Sequence, residues 1–222
     1  MSAIPVELKD SGPAVQPVFA GPTRWGAAFV LVIGPVLQVI EFLLESGADD
    51  PATRVAFWAA HPAPIGLALA SGLLAVPFLL GNAFILVALT RVHSRRLAWV
   101  GGAFMTFGMV GLGAAHGYEL AAYGLTRSGD LAAAASALTG DSLGLPGAVF
   151  FIMFLGGAAL GTLTLATAAW RSPLVPRLVA VFLLAFAVLD FALGQGIVSH
   201  LVNLLGFAIL AVAVVARYSR QP

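Results

Sequence analysis

Cysteine is absent from the 222-residue chain, which excludes disulfides, thiolate zinc sites and cysteine-ligated iron–sulfur clusters. Charge is nearly as scarce. Asp, Glu, Lys and Arg make up 9% of the residues, and the formal net charge is +1. A soluble domain carries about 25% charged residues, so this chain has too few to cover a wetted surface. It also lacks a basic stripe to neutralise phosphates, which argues against a nucleic-acid partner. No serine nucleophile elbow, P-loop, dinucleotide fingerprint or H-E-x-x-H pair stands in a suitable context. An Asp-rich diphosphate motif is missing too; Asp49-Asp50 is a single loop pair.

Apolar residues are plentiful, at 60% of the chain with a mean hydropathy of +0.98. Six stretches approach the ~20 residues that a bilayer core demands: Trp25–Glu45, Ile65–Thr90, Leu97–Ala122, Gly147–Trp170, Leu178–Gly194 and Ile197–Ala216. They predict an all-α, polytopic membrane helix bundle of six transmembrane helices, one domain over residues 23–222, in the cell membrane. Residues 1–22, with Pro5, Pro13, Pro17 and Pro22, read as a flexible tail; no apolar run follows a basic start, as a signal peptide would require. Nine basic residues (Lys9, Arg24, Arg91, Arg95, Arg96, Arg171, Arg177, Arg217, Arg220) fall on one side of these spans, against Arg54 and Arg127 on the other. That asymmetry predicts cytoplasmic termini.

The two longer loops then face outward. Asp50-Pro51 reads as an N-cap with proline at the first helical position, so residues 51–60 should form a short interfacial helix. Phe57 and Trp58 would sit at the headgroup boundary, and His61-Pro62 would end the helix. Asp130 should cap a second short helix over 131–139, with Gly140 ending it. Gly113-x-x-x-Gly117 and Gly157-x-x-x-Gly161 offer small faces for close helix contact, within the bundle or at a homo-oligomer seam. Pro35 and Pro77 each free a carbonyl inside a span, and Asn82 is expected to bond a neighbouring backbone group or the carbonyl freed near Pro77.

Ionisable side chains inside the bilayer cost on the order of 2.5–3.5 kcal/mol on insertion scales, so each needs a reason. Five lie within the expected spans: Glu41, His116, Glu119, Asp190 and His200. Four of them fall roughly 7–11 Å outward of the midplane, with Glu119 about one turn further out. Gln38, Glu41 and Glu45 form one helical stripe; His116, Glu119 and Tyr123 repeat its spacing; His200 and Asn203 share a face beside Ser199. Gln195 and His61 stand at the mouth. Such stripes must face the bundle or an outward-opening cavity. A purely structural arrangement remains open: a His116–Glu119 pair, an Asp190–His200 clasp across the Gly194–Gly196 turn, and a solvated Glu45.

The same residues suit acid–base chemistry. A carboxyl withdrawn from water favours its neutral form, so Glu41 or Asp190 is a candidate proton donor, and a neighbouring histidine a base. The leading expectation is an isomerase-, cyclase- or hydrolase-type enzyme acting on a lipid-like or isoprenoid molecule. Its catalytic candidates are Glu41, His116, Glu119, Asp190 and His200; its substrate contacts are Gln38, Tyr123, Gln195 and Asn203. No cofactor is expected. Zinc or iron held by His116 and His200 with carboxylates, or haem between the two histidines, are alternatives. So are a proton-coupled transporter of a small apolar molecule and a non-enzymatic structural or signalling subunit. The expected partners are the bilayer and a lipid-like small molecule.

Overall fold

A computed structural model describes residue 19 and residues 21–45, 50–139, 144–194 and 196–218. The expected N-terminal tail lies almost wholly outside this set, as do Gly140 and Gln195. Within it the chain is all helical: α1 Thr23–Leu44, α2 Pro51–Ala60, α3 Pro62–Thr90, α4 Arg95–Ser128, α5 Leu131–Leu138, α6 Gly144–Arg171, α7 Arg177–Ala192 and α8 Ile197–Tyr218. Five of these, α1, α3, α4, α6 and α8, are long and apolar enough to cross a membrane. The remaining expected span, Leu178–Gly194, is the shortest of the six, and its helix is not among these five. Helix α7 has 16 residues, about 24 Å at 1.5 Å per residue, and it stops before Gly194, whose φ of 85° is left-handed.

The long helices and α7 close into a ring: α1 packs on α3, α3 on α4, α4 on α6, α6 on α7, α7 on α8, and α8 back on α1. Large apolar side chains such as Phe29, Leu74, Phe107, Phe151, Val188 and Val212 point outward and are exposed, as a lipid-facing surface requires. One end of the ring is filled by a core that includes Leu31, Leu86, Leu89, Leu165, Val179 and Leu210. The other is roofed by the two short helices.

Both short helices begin as their sequences suggest. Asp50 caps α2, its carboxylate accepting from the Thr53 amide at 2.8 Å and the Thr53 hydroxyl at 2.6 Å. These bonds hold the Asp50 carboxyl below its usual range. Asp130 caps α5 through the Ala133 amide at 3.0 Å. Trp58 differs from expectation. It is fully buried, packed with Ile65, Leu69 and Ala122 under the roof, because α2 turns that face onto α3 and α4 instead of the headgroup layer.

The closest helix crossing is α4 against α6. A Cβ on Gly108 would lie 2.5 Å from the Ala158 nitrogen, and one on Gly157 would lie 2.5 Å from the Gly108 nitrogen. Gly161 likewise abuts the Met105 backbone. The Gly157–Gly161 face therefore works inside the bundle, whereas Gly113 and Gly117 do not share in the seam: the nearest atom to a Cβ on Gly113 is 3.8 Å away, and Gly117 faces open space. On α4 the small face is Gly101, Gly108 and Gly111.

Pro35 supplies no amide proton to the carbonyl four residues back, that of Leu31. The Asn82 side-chain amide donates to that same carbonyl at 3.3 Å. Of the two partners expected, Asn82 takes a neighbouring backbone group and not the carbonyl near Pro77: the tertiary fold delivers it to the gap left by Pro35 on α1. Asn82→Leu should therefore cost about 1 kcal/mol, the low end for a buried carbonyl losing its partner. In a Pro35→Ala background, the alanine amide restores the backbone bond and most of that penalty should vanish. Thermal denaturation of the four proteins in detergent checks the cycle; equal penalties in both backgrounds would disprove the pairing.

Candidate functional site

Inside the ring lies a cavity of about 360 Å³. Glu41, His116, Glu119, Asp190 and His200 all line it, together with Gln38, Glu45 and Asn203. The stripes on α1, α4 and α8 therefore face one shared space, along with Asp190 of α7. The residues fall into levels set by helix rise.

At the roof end, Arg54 of α2 reaches down and donates to Glu45 and, at 2.8 Å, to Glu119. Its guanidinium also lies 5.1 Å from the Trp58 ring centroid. Burial works against the charge on Arg54, but the Glu45 and Glu119 carboxylates outweigh it and hold the group above its ordinary pKa. Sequence reasoning missed Arg54, counting it only as an outer-loop charge. The available signal was its place one turn into a capped amphipathic helix, on the same face as Trp58 four residues later.

One level in, His116 Nδ1 stands 3.1 Å from a Glu119 oxygen and 3.4 Å from Glu41. The Glu41 carboxylate, itself buried, rests directly on Gly72 of α3, where a Cβ would come within 2.6 Å of Oε2. Glycine at this position makes room for the acid. Across the cavity, Asp190 accepts a hydrogen bond from the Ser199 hydroxyl at 2.9 Å. His200 Nε2 is 3.8 Å from the same oxygen, too far for a hydrogen bond. Ser199 is thus the direct partner across the α7–α8 turn, and the expected Asp190–His200 clasp is a looser approach. Among the described residues neither ring nitrogen of His200 has a hydrogen-bond partner. Its ring is tilted against Phe42, with centroids 4.0 Å apart, and Phe186 lies 5.9 Å away.

One turn further in come Gln38 and Asn203, both buried, and beyond them apolar side chains including Met105, Met109, Leu165 and Phe207. Tyr123 is not among the lining residues. Its hydroxyl donates to the Pro62 carbonyl at 2.7 Å and its ring meets Trp58 edge-on, so it ties α4 to the start of α3. Gln195 lies outside the described residues. His61 stacks on Phe57, with ring centroids 4.3 Å apart, and is exposed.

Glu41, His116 and Glu119 each offer a donor atom within 4.8 Å of the others, a group that could hold a metal ion. The two cavity histidines have different company: His116 is flanked by carboxylates, and His200 by phenylalanines. Compared with known proteins, the chain matches no family model, no curated protein and no solved structure.

Proposed function

We propose that the protein is a multi-pass enzyme of the cell membrane that moves protons on a lipid-like, isoprenoid-type substrate. The observation that carries this reading is the convergence of five ionisable side chains from four helices on one cavity with an apolar inner end. A structural role needs each polar group to find a local partner. Among the described residues, Glu41 has only a 3.4 Å approach from His116, and the His200 nitrogens have no hydrogen-bond partner. An apolar substrate can enter a site of this kind, and by filling it displaces the water that would quench a reactive cationic intermediate.

Glu41 acts as the acid, giving its proton to a carbon–carbon double bond. His200 is the base that removes a proton from an adjacent carbon, and Asp190 stands 3.8 Å from the imidazolium so formed. The double bond moves and no net proton is consumed: His200 releases its proton to solvent, and Glu41 takes one up from solvent before the next cycle. In ²H₂O, such a reaction writes deuterium into carbon–hydrogen bonds of the product. Membranes containing the protein should show protein-dependent deuterium uptake in extracted neutral lipids by mass spectrometry. No such uptake in any lipid would overturn the reading.

The donor geometry favours a second reading, in which Glu41, His116 and Glu119 hold zinc or iron for hydrolysis. Arg54 weighs against it, because it already supplies positive charge to Glu45 and Glu119. Stoichiometric metal in the purified protein would replace the first reading with the second.

In this reading the chain has six spans and cytoplasmic termini, α7 serving as a short sixth crossing beside α6 and α8. The uneven division of arginines supports this sidedness. It places α2, α5 and the cavity mouth on the outer face. Reporters fused after Arg96 and after Arg220 should both register the cytoplasm; an external signal from either would reverse the topology.

A further inference from the structure

Gln38 and Asn203 do not take part in the proton chemistry, yet both are more than nine-tenths buried and both line the cavity. Among the described residues, Gln38 Oε1 and Asn203 Oδ1 have no hydrogen-bond partner. Leaving a buried polar group unpaired costs about 1–3 kcal/mol. Helices α1 and α8 are packed neighbours, and their contacts run antiparallel: Phe42 meets His200 near one end, while Leu31 and Leu210 share the core near the other. Stepping one turn inward from Phe42 and His200 therefore brings Gln38 and Asn203 to the same level. They form a polar ledge about 4.5 Å below Glu41 and His200, with apolar side chains beneath.

Charge restricts what this ledge can hold. Among the described residues, the one arginine lining the cavity is Arg54, at the roof end, engaged by Glu45 and Glu119. Asp190, near the ledge, repels an anion, and Glu41, which holds its proton before turnover, offers it no counter-charge. The unpaired atoms are both acceptors, suited to the O–H of a neutral alcohol, whose oxygen can in turn accept from an amide N–H. We infer that Gln38 and Asn203 bind the hydroxyl group of the substrate, so that the substrate class is a neutral isoprenoid alcohol and not a phosphate or diphosphate ester. The inference rests on the proposed function for its setting. It adds a specific subsite and a charge requirement: the ledge fixes the oxygen, the apolar end receives the hydrocarbon, and nearby unsaturation lies at the level of Glu41 and His200.

The test uses the full-length protein in detergent, followed by thermal unfolding, with farnesol, farnesene and farnesyl diphosphate as probes. Farnesol should raise the unfolding midpoint by about 5 °C at saturation, and the hydrocarbon and the diphosphate should do so far less. Gln38→Leu and Asn203→Leu should each weaken farnesol binding about tenfold or more. Because each removes an unpaired buried group, the ligand-free midpoint should rise in both variants. A purely structural pair of amides gives the opposite pattern, a lower midpoint with farnesol affinity unchanged, and that result would overturn the inference. So would an absent farnesol shift, an equal shift from farnesene, or a larger one from farnesyl diphosphate. Glu41→Gln should keep the farnesol response. Binding without deuterium uptake in the unaltered protein therefore rejects the proton chemistry alone, and uptake without farnesol binding rejects the ledge alone.

Discussion

Glu41→Gln should abolish protein-dependent deuterium uptake while leaving the protein folded. The amide has nearly the shape of the carboxyl and can rest on Gly72 in the same way. It lacks only the ionisable proton. Removing a general acid typically costs 10²–10⁴-fold in rate, about 3–5 kcal/mol of barrier. Stability should change by less than about 1 kcal/mol, because an amide and the neutral carboxyl it replaces are polar groups of similar size and similar cost to bury. Asp190→Asn extends the test to the opposite wall. The asparagine oxygen can still accept from Ser199, so the α7–α8 contact survives while the negative charge beside His200 is lost. Uptake unchanged in both variants would reduce the polar layer to packing. Unfolding of both would assign it a structural role.

Periodicity made the layer visible in the sequence. Gln38, Glu41 and Glu45 repeat at helical spacing, and in a bilayer such a stripe has to turn inward; all three line the cavity. Helix rise also brought residues of four helices to similar depth. Sequence spacing could not show which side chains pair across helices. Ser199, not His200, takes the direct hydrogen bond to Asp190, because the turn places the hydroxyl nearer. Tyr123 has the spacing of a lining residue, but α4 continues to Ser128, and at Tyr123 it meets the α2–α3 junction instead of the cavity. Asn82 reaches the carbonyl left by Pro35 because α3 packs on α1, a tertiary fact without a local signature. Arg54 was hidden for a similar reason: a basic residue in an outer loop ordinarily meets solvent, and only the roof formed by α2 turns it onto Glu45 and Glu119.

Gly108→Val and Gly157→Val should be the most damaging single changes to the fold. At each position the added Cβ meets backbone on the facing helix, 2.5 Å from a nitrogen in both cases, so no rotamer change can relieve it. Helices α4 and α6 would have to separate, giving up the van der Waals contact that drives association where lipid is as apolar as the partner helix. The cost should reach the top of the ~1–3 kcal/mol range for overpacking or exceed it, lowering the unfolding midpoint by on the order of 10 °C. Gly117→Ala provides a contrast of opposite sign. Its Cβ enters open space, and alanine is favoured over glycine in a helix interior by about 1 kcal/mol, so the midpoint should hold or rise. The two outcomes separate glycines that look alike as small-x-x-x-small pairs. If Gly108→Val and Gly117→Ala unfold at the same temperature, the close α4–α6 crossing is wrong. The cavity would fall with it, since His116 and Glu119 stand on one of these helices and Phe154 and Ala158 line the site from the other.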